Sequence, residues 1–124
     1  MSIFQSRRVN KKLDAVFAGR PPLDDEHFYD KYFRSHGMPP EIVGKVRRIL
    51  EEEFDVDLSR LAATDDVARN LSFIVDYGSL DAVEVVIRLE DEFGIAITDT
   101  EAAQTTTVYG IVNLVWDKLR QSGA

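Results

Sequence analysis

The 124-residue sequence has no cysteine and only two histidines, His27 and His36. The chain therefore forms no disulfide, no thiolate metal site and no cysteine nucleophile. Two isolated histidines suggest neither a metal centre nor a serine–histidine triad, and no paired acids suggest a catalytic cleft. We expect no catalytic residue, no metal site and no enzyme. Any thiol chemistry must come from an attached group.

Long apolar runs are also missing. No stretch approaches the roughly 18 to 20 residues that span a bilayer, and the start, MSIFQSRRVNKK, lacks the apolar core of a secretory signal. The apolar fraction of 44% and the charged fraction of 30% are those of an ordinary globular protein. We expect a single-domain core, no stable membrane insertion and a cytoplasmic location.

Acidic residues outnumber basic ones by 22 to 15, and the two kinds are unevenly placed. Residues 1–23 hold five basic residues and one acidic residue, so the rest of the chain is strongly acidic. An acidic body repels nucleic acid and anionic membranes, and it favours basic protein partners. We expect partners that are proteins and no nucleic acid.

Two proline–glycine breaks, near residues 19–22 and 37–40, divide the first part of the chain into helical segments. The first segment carries an apolar stripe, and residues 24–37 carry four aromatics on one side. We predict a helical N-terminal extension over residues 1–38. It either packs on the main bundle, serves as a docking element for a dedicated partner, or forms a basic amphipathic targeting or membrane-surface helix. The stripe residues are Val9, Leu13, Val16 and Phe17, and the aromatics are Phe28, Tyr29, Tyr32 and Phe33.

The remainder, residues 39–124, predicts a small all-α bundle of three major helices and one short helix. The first helix begins at Pro40 and ends near Asp55, and a long first loop follows over about 56–78. Thr98 and Glu101 form a capping-box pattern for the short helix, and the last helix follows TTT. The expected core residues are Leu80, Val83, Ile87, Phe93, Ile95, Val108, Ile111, Val112 and Val115.

Ser79 stands between Gly78 and the start of a helix whose apolar and charged residues recur at helical spacing. Its hydroxyl is suited to capping that helix. It is also suited to covalent modification, because a phosphodiester there would meet the positive end of the helix dipole. The residues of this stretch alone leave both interpretations open.

The stretch GSLDAVEVVIRLEDEFGIAITDTEAAQTTTVYGIVNLV resembles the acyl carrier protein family, and the resemblance covers about residues 40–120. It implies that a phosphopantetheinyl transferase attaches 4′-phosphopantetheine from coenzyme A to Ser79. The thiol of that arm would then hold acyl intermediates as thioesters in fatty-acid, polyketide or related biosynthesis.

The resemblance also implies a docking face of Asp81, Glu84, Asp91 and Glu92 for acyl-transferring and condensing enzymes with basic patches, on a monomeric carrier. Gly78 stands where the family usually has aspartate. Two alternatives remain: an unmodified acyl-carrier-like interaction or regulatory module, and a peptidyl carrier.

Overall fold

The computed structural model of the protein describes residues 3–76 and 81–122, and these residues form an all-α bundle. The predicted fold class is confirmed. A 3₁₀ turn at Arg34–His36 joins α2 to the segment before α3. The helices are α1 (Ile3–Val16), α2 (Asp25–Tyr32), α3 (Pro40–Phe54), α4 (Ser72–Asp76), α5 (Asp81–Phe93), α6 (Asp99–Gln104) and α7 (Val108–Ser122).

Helix α3 is central, because it packs against α2, α5 and α7. It begins at Pro40, which needs no N–H partner in the first turn. It ends at Phe54, and Asp55 adopts a left-handed φ of 54°. Both ends agree with the sequence prediction.

The connection after α3 differs from the expected loop, because its last part is the five-residue helix α4. Leu71 and Ile74 are buried and anchor this helix to the core. A helix this short shows no periodicity, so the sequence pattern does not reveal it. Earlier in the connection, the Val67 N–H donates to the Thr106 carbonyl at 3.0 Å and the Val108 N–H donates to the Asp65 carbonyl at 2.9 Å.

Nearby residues mark several ends of the helical segments. Gly37 and Gly94 take positive φ angles of 70° and 64° after α2's 3₁₀ turn and after α5. Thr98 and Glu101 exchange the two hydrogen bonds of a capping box at the start of α6. These ends are encoded locally, by residue type and spacing.

Apolar side chains of α1 and α2 belong to the same buried cluster as those of α3 and α7. Leu13, Phe17, Phe28 and Phe33 are each at most 2% exposed. The boundary between residues 38 and 39 nevertheless stays a prediction.

The predicted core face of α5 is wrong. Val83 and Ile87 are 55% and 42% exposed, whereas Val85 and Leu89 are buried. This helix carries aliphatic residues on more than one side, and the packing of α5 against α3 and α7 selects the Val85–Leu89 side. Leu80 lies outside the described residues, and Phe93 is only half-buried. The other expected core residues, Ile95, Val108, Ile111, Val112 and Val115, are buried.

Candidate functional site

The two helices that flank the predicted attachment serine are described, but the serine is not. Helix α4 ends at Asp76 and α5 begins at Asp81. Ser79 and Gly78 lie outside the described residues, and so does the side chain of Asp81.

The outer face of α5 combines acidic and apolar side chains. Glu84 and Asp91 are exposed on it, as predicted for a docking face. Val83 and Ile87, the two large apolar side chains found exposed in the described part of the chain, lie on the same helix. A surface with acidic groups around an exposed apolar strip suits a protein partner that offers basic groups around an apolar contact.

Glu92 and Arg88 face a neighbouring helix as well as solvent. The Glu92 carboxylate lies 3.4 Å from the Lys45 ammonium of α3. The Arg88 guanidinium lies 2.9 Å from Glu52 and 3.3 Å from Glu53, also on α3. The hydrogen bond to Glu52, which has the largest effect, and the one to Glu53 raise the pKa of Arg88 above its ordinary value. Arg88 therefore joins α5 to α3, a role that the helical spacing of charges does not reveal.

An apolar cavity of about 230 Å³ lies between α3, α5 and α7. Leu50 and Phe54 of α3 form one wall, and Val85 and Leu89 of α5 form another. Ala82, which follows Ser79 by three residues in the sequence, also lines it. A largely apolar pocket of this kind suits a hydrocarbon group.

The connection before α4 is held by a partly buried ion pair that the sequence pattern does not reveal. Arg20, from the extension, donates two hydrogen bonds to the Asp65 carboxylate at 2.7 and 3.1 Å. The Ala62 N–H and the Asn70 amide also donate to it, at 2.8 and 2.9 Å. Burial alone would raise the pKa of Asp65, but these hydrogen bonds outweigh burial and lower it. No sequence signal pairs two residues so far apart.

Within residues 3–76 and 81–122, no cluster of His, Asp and Glu suits a metal ion. In the same ranges, no helix has the length and apolar character needed to cross a membrane.

Similarity to known sequences identifies the class of protein to which this helical bundle belongs. Residues 44–115 match the family described as the phosphopantetheine attachment site. The acyl carrier protein of Picosynechococcus sp. is 39% identical over 83 residues, which cover 65% of this chain and 95% of that protein.

The chain therefore belongs to the acyl carrier protein family. It is a carrier and not an enzyme, and its cofactor is 4′-phosphopantetheine. Members of the family interact with a phosphopantetheinyl transferase and with biosynthetic enzymes. The residues present fit this group, because the sequence supplies a serine two residues before Asp81 and an apolar pocket reaches Ala82, in the first turn of α5.

Proposed function

We propose that Ser79 carries the 4′-phosphopantetheine arm and that the protein holds acyl intermediates in fatty-acid, polyketide or related biosynthesis. The observation that carries the proposal is the family match over residues 44–115, a range that contains Ser79. The serine oxygen bonds to the β-phosphorus of coenzyme A, the serine proton leaves to a base, and adenosine 3′,5′-bisphosphate departs. The arm supplies a thiol, which the chain itself lacks, to hold the acyl group as a thioester.

Attachment is tested by intact mass after incubation with a broad-specificity phosphopantetheinyl transferase, coenzyme A and magnesium. The wild-type chain should gain one phosphopantetheine, Ser79→Ala should gain none, and Ser72→Ala, a matched change in α4, should behave as wild type. A gain in Ser79→Ala would place the arm elsewhere and contradict the assignment.

The proposal includes a docking face of Asp81, Glu84, Asp91 and Glu92 for partner enzymes with basic patches. Glu84 and Asp91 are exposed on α5, and Val83 and Ile87 add apolar contact area beside them. Such charges mainly accelerate association and orient the partner. Because Glu92 is paired with Lys45 at 3.4 Å, docking on Glu92 must compete with that ion pair.

The docking face is tested through the salt dependence of phosphopantetheine transfer. Glu84→Lys or Asp91→Lys should lower kcat/KM roughly tenfold at low salt, and the deficit should shrink as salt screens the charges. Glu41→Lys makes the same charge change at an exposed position in the first turn of α3 and serves as the control. Equal losses in all three variants would show that kcat/KM depends on the net charge of the chain rather than on the α5 face.

One sequence feature favours the alternative of an unmodified interaction module: Gly78 stands where the family usually has aspartate. If the wild-type chain gains no mass while a known carrier does, Gly78→Asp is the next variant. Recovery of modification would assign the defect to this residue. A peptidyl carrier would show the same mass gain and differ only in cargo. We also propose a cytoplasmic location and a monomeric state. Sedimentation tests the monomeric state.

A further inference from the structure

The N-terminal extension contacts the connection before α4 at several points. The Leu23 N–H donates to the Ser59 carbonyl at 2.8 Å. The Arg20 guanidinium donates to the Arg60 carbonyl at 3.4 Å and to the Asp65 carboxylate at 2.7 and 3.1 Å. The extension precedes the range that matches the family, whereas the connection lies within that range. Residues outside the matched range therefore hold a part of the chain inside it.

A buried aromatic ring supports the contact between Arg20 and Asp65. The Phe17 ring is fully buried, and the guanidinium carbons of Arg20 and Arg60 lie 5.1 and 5.5 Å from its centroid. Arg60 also pairs with Asp14 of α1 at 2.5 Å. A guanidinium that already lies against a ring loses less conformational freedom when it forms a hydrogen bond. The ring therefore favours the orientation in which Arg20 donates twice to Asp65.

Hydrogen bonds continue from Asp65 to α4. The Asn70 side-chain N–H₂ donates to the Asp65 carboxylate at 2.9 Å, and the Asn70 side-chain oxygen accepts from the Asp66 N–H at 2.8 Å. The Leu71 N–H donates to the Asp66 carbonyl at 3.0 Å, and the Ile74 N–H donates to the Leu71 carbonyl at 3.0 Å. Because these bonds form a continuous series, a change at Asp65 alters the support of α4.

Helix α1 also contacts α4 directly. The Lys12 ammonium lies 5.8 Å from the centroid of the Phe73 ring, within the range of a cation–π contact. The extension therefore supports α4 in two ways, through the connection and through α1.

The position of α4 matters for attachment because the attachment serine follows this helix closely. Helix α4 ends at Asp76 and α5 begins at Asp81, so the facing ends of the two helices lie within roughly 18 Å of each other. Helix α5 is held by its packing against α3 and α7. The position of α4 relative to α5 is therefore the quantity that the extension can change.

We infer that Arg20 is a positioning residue for phosphopantetheine attachment: through Asp65 and the connection, it holds α4 in the arrangement that the transferase binds. The inference rests on the proposed attachment at Ser79. Without the Arg20–Asp65 pair, only a fraction of the carrier has this arrangement, and the apparent KM for the carrier rises by the reciprocal of that fraction. The kcat stays the same, because the bound complex contains the same arrangement in either case.

Transfer kinetics with a broad-specificity phosphopantetheinyl transferase, magnesium and saturating coenzyme A test this inference, with the carrier concentration varied and the product measured by intact mass. Arg20→Gln should raise the KM for the carrier roughly fivefold, which corresponds to a competent fraction of about one fifth, and should leave kcat unchanged. Arg34→Gln makes the same change in the same extension at an exposed pair with Asp30, and it should leave both constants as in the wild type.

Two further variants separate positioning from global stability. Phe28→Leu weakens the buried cluster but leaves both partners of the Arg20–Asp65 pair in place, so it should lower the thermal midpoint without raising KM. Arg20→Lys keeps the charge but lacks the guanidinium fork, so its KM should lie between those of the wild type and Arg20→Gln. Circular dichroism at the assay temperature verifies that each variant is folded.

Amide hydrogen exchange gives a second measurement, which does not depend on the transferase. In Arg20→Gln, the N–H groups of Leu71 and Ile74 should exchange faster than in the wild type, whereas those of Val112 and Val115 in α7 should not. Equal acceleration in α7 would show that the whole bundle is destabilised, and it would contradict a positioning role.

Three kinetic outcomes overturn the inference. An unchanged KM in Arg20→Gln shows that the pair does not position α4 for the transferase. A lower KM shows that the pair holds α4 away from the arrangement that the transferase binds. Equal increases in Arg20→Gln and Phe28→Leu show that global stability sets KM. Absence of any mass gain in the wild-type chain is a different result, because it overturns the proposed attachment itself.

Discussion

Replacing Asp65 by asparagine is the sharpest test of how the extension and the connection before α4 support each other. Asp65 is 2% exposed and accepts hydrogen bonds from Arg20, Asn70 and the Ala62 N–H. Asparagine has the same shape, but it turns one acceptor into an N–H₂ donor that faces donors. The substitution therefore leaves the Arg20 guanidinium without its counter-charge and places the asparagine N–H₂ group against other N–H donors.

The expected loss in the free energy of unfolding is about 3 kcal/mol, the low end for breaking a buried pair. The low end applies because the Arg20 side chain remains 32% exposed, so water partly replaces the lost partner. For a chain of this size, such a loss lowers the thermal midpoint by roughly 10 °C. Urea unfolding followed by circular dichroism gives the free energy, and a thermal melt gives the midpoint.

Asp30→Asn is the matched control, because Asp30 pairs with Arg34 on the surface of α2 and the 3₁₀ turn. An exposed pair four residues apart contributes little to stability, because water screens both charges. The reasoning is refuted if Asp65→Asn loses less than about 1 kcal/mol, or if the two variants lose the same amount.

Three further predictions concern the same bundle. The pKa of Asp65 is lower in the folded state than in the unfolded state. Its contribution to stability is therefore complete above the unfolded-state pKa of about 3.9 and is lost as the pH falls through the folded-state value. The difference in unfolding free energy between wild type and Asp65→Asn should shrink on acidification below about pH 4. Deleting residues 1–23 removes the buried Leu13 and Phe17, so cooperative unfolding should disappear in the melt, whereas a mere docking element would leave it intact. Gly110→Ala places a Cβ 2.9 Å from Thr107 Oγ1, which accepts the capping hydrogen bond from the Gly110 N–H. Urea unfolding should show a loss of about 1 kcal/mol in the free energy of unfolding. Helix propensity alone suggests a gain, and a measured gain would contradict the close contact.

Much of the candidate site was accessible from the sequence because it depends on local chemistry. The helical spacing of Glu84 and Asp91 predicts that they share one face of α5, and both are exposed. Placing Ser79 just before that helix needs only the turn residues and the charge pattern. The assignment of Ser79 as the attachment residue remains a prediction, since it lies outside the described residues.

The choice of buried face on α5 was not accessible in the same way. Val83 and Ile87 have the same helical spacing as Val85 and Leu89, and all four are aliphatic. Periodicity predicts that an apolar stripe of the helix is buried. When a helix has two such stripes, periodicity does not predict which one. Contact with α3 and α7 makes the choice, and it leaves Val83 and Ile87 exposed.

By itself, the sequence determined the all-α class, the ends of α3, the capping box at Thr98 and the acidic character of α5, because each depends on residues within a few positions of one another. Only the tertiary structure decided the ion pair between Arg20 and Asp65, the bridge from Arg88 to α3 and the cavity between α3, α5 and α7. These features join residues that are distant in the chain, and their energies exist only once close packing has brought the helices together and removed the water between them.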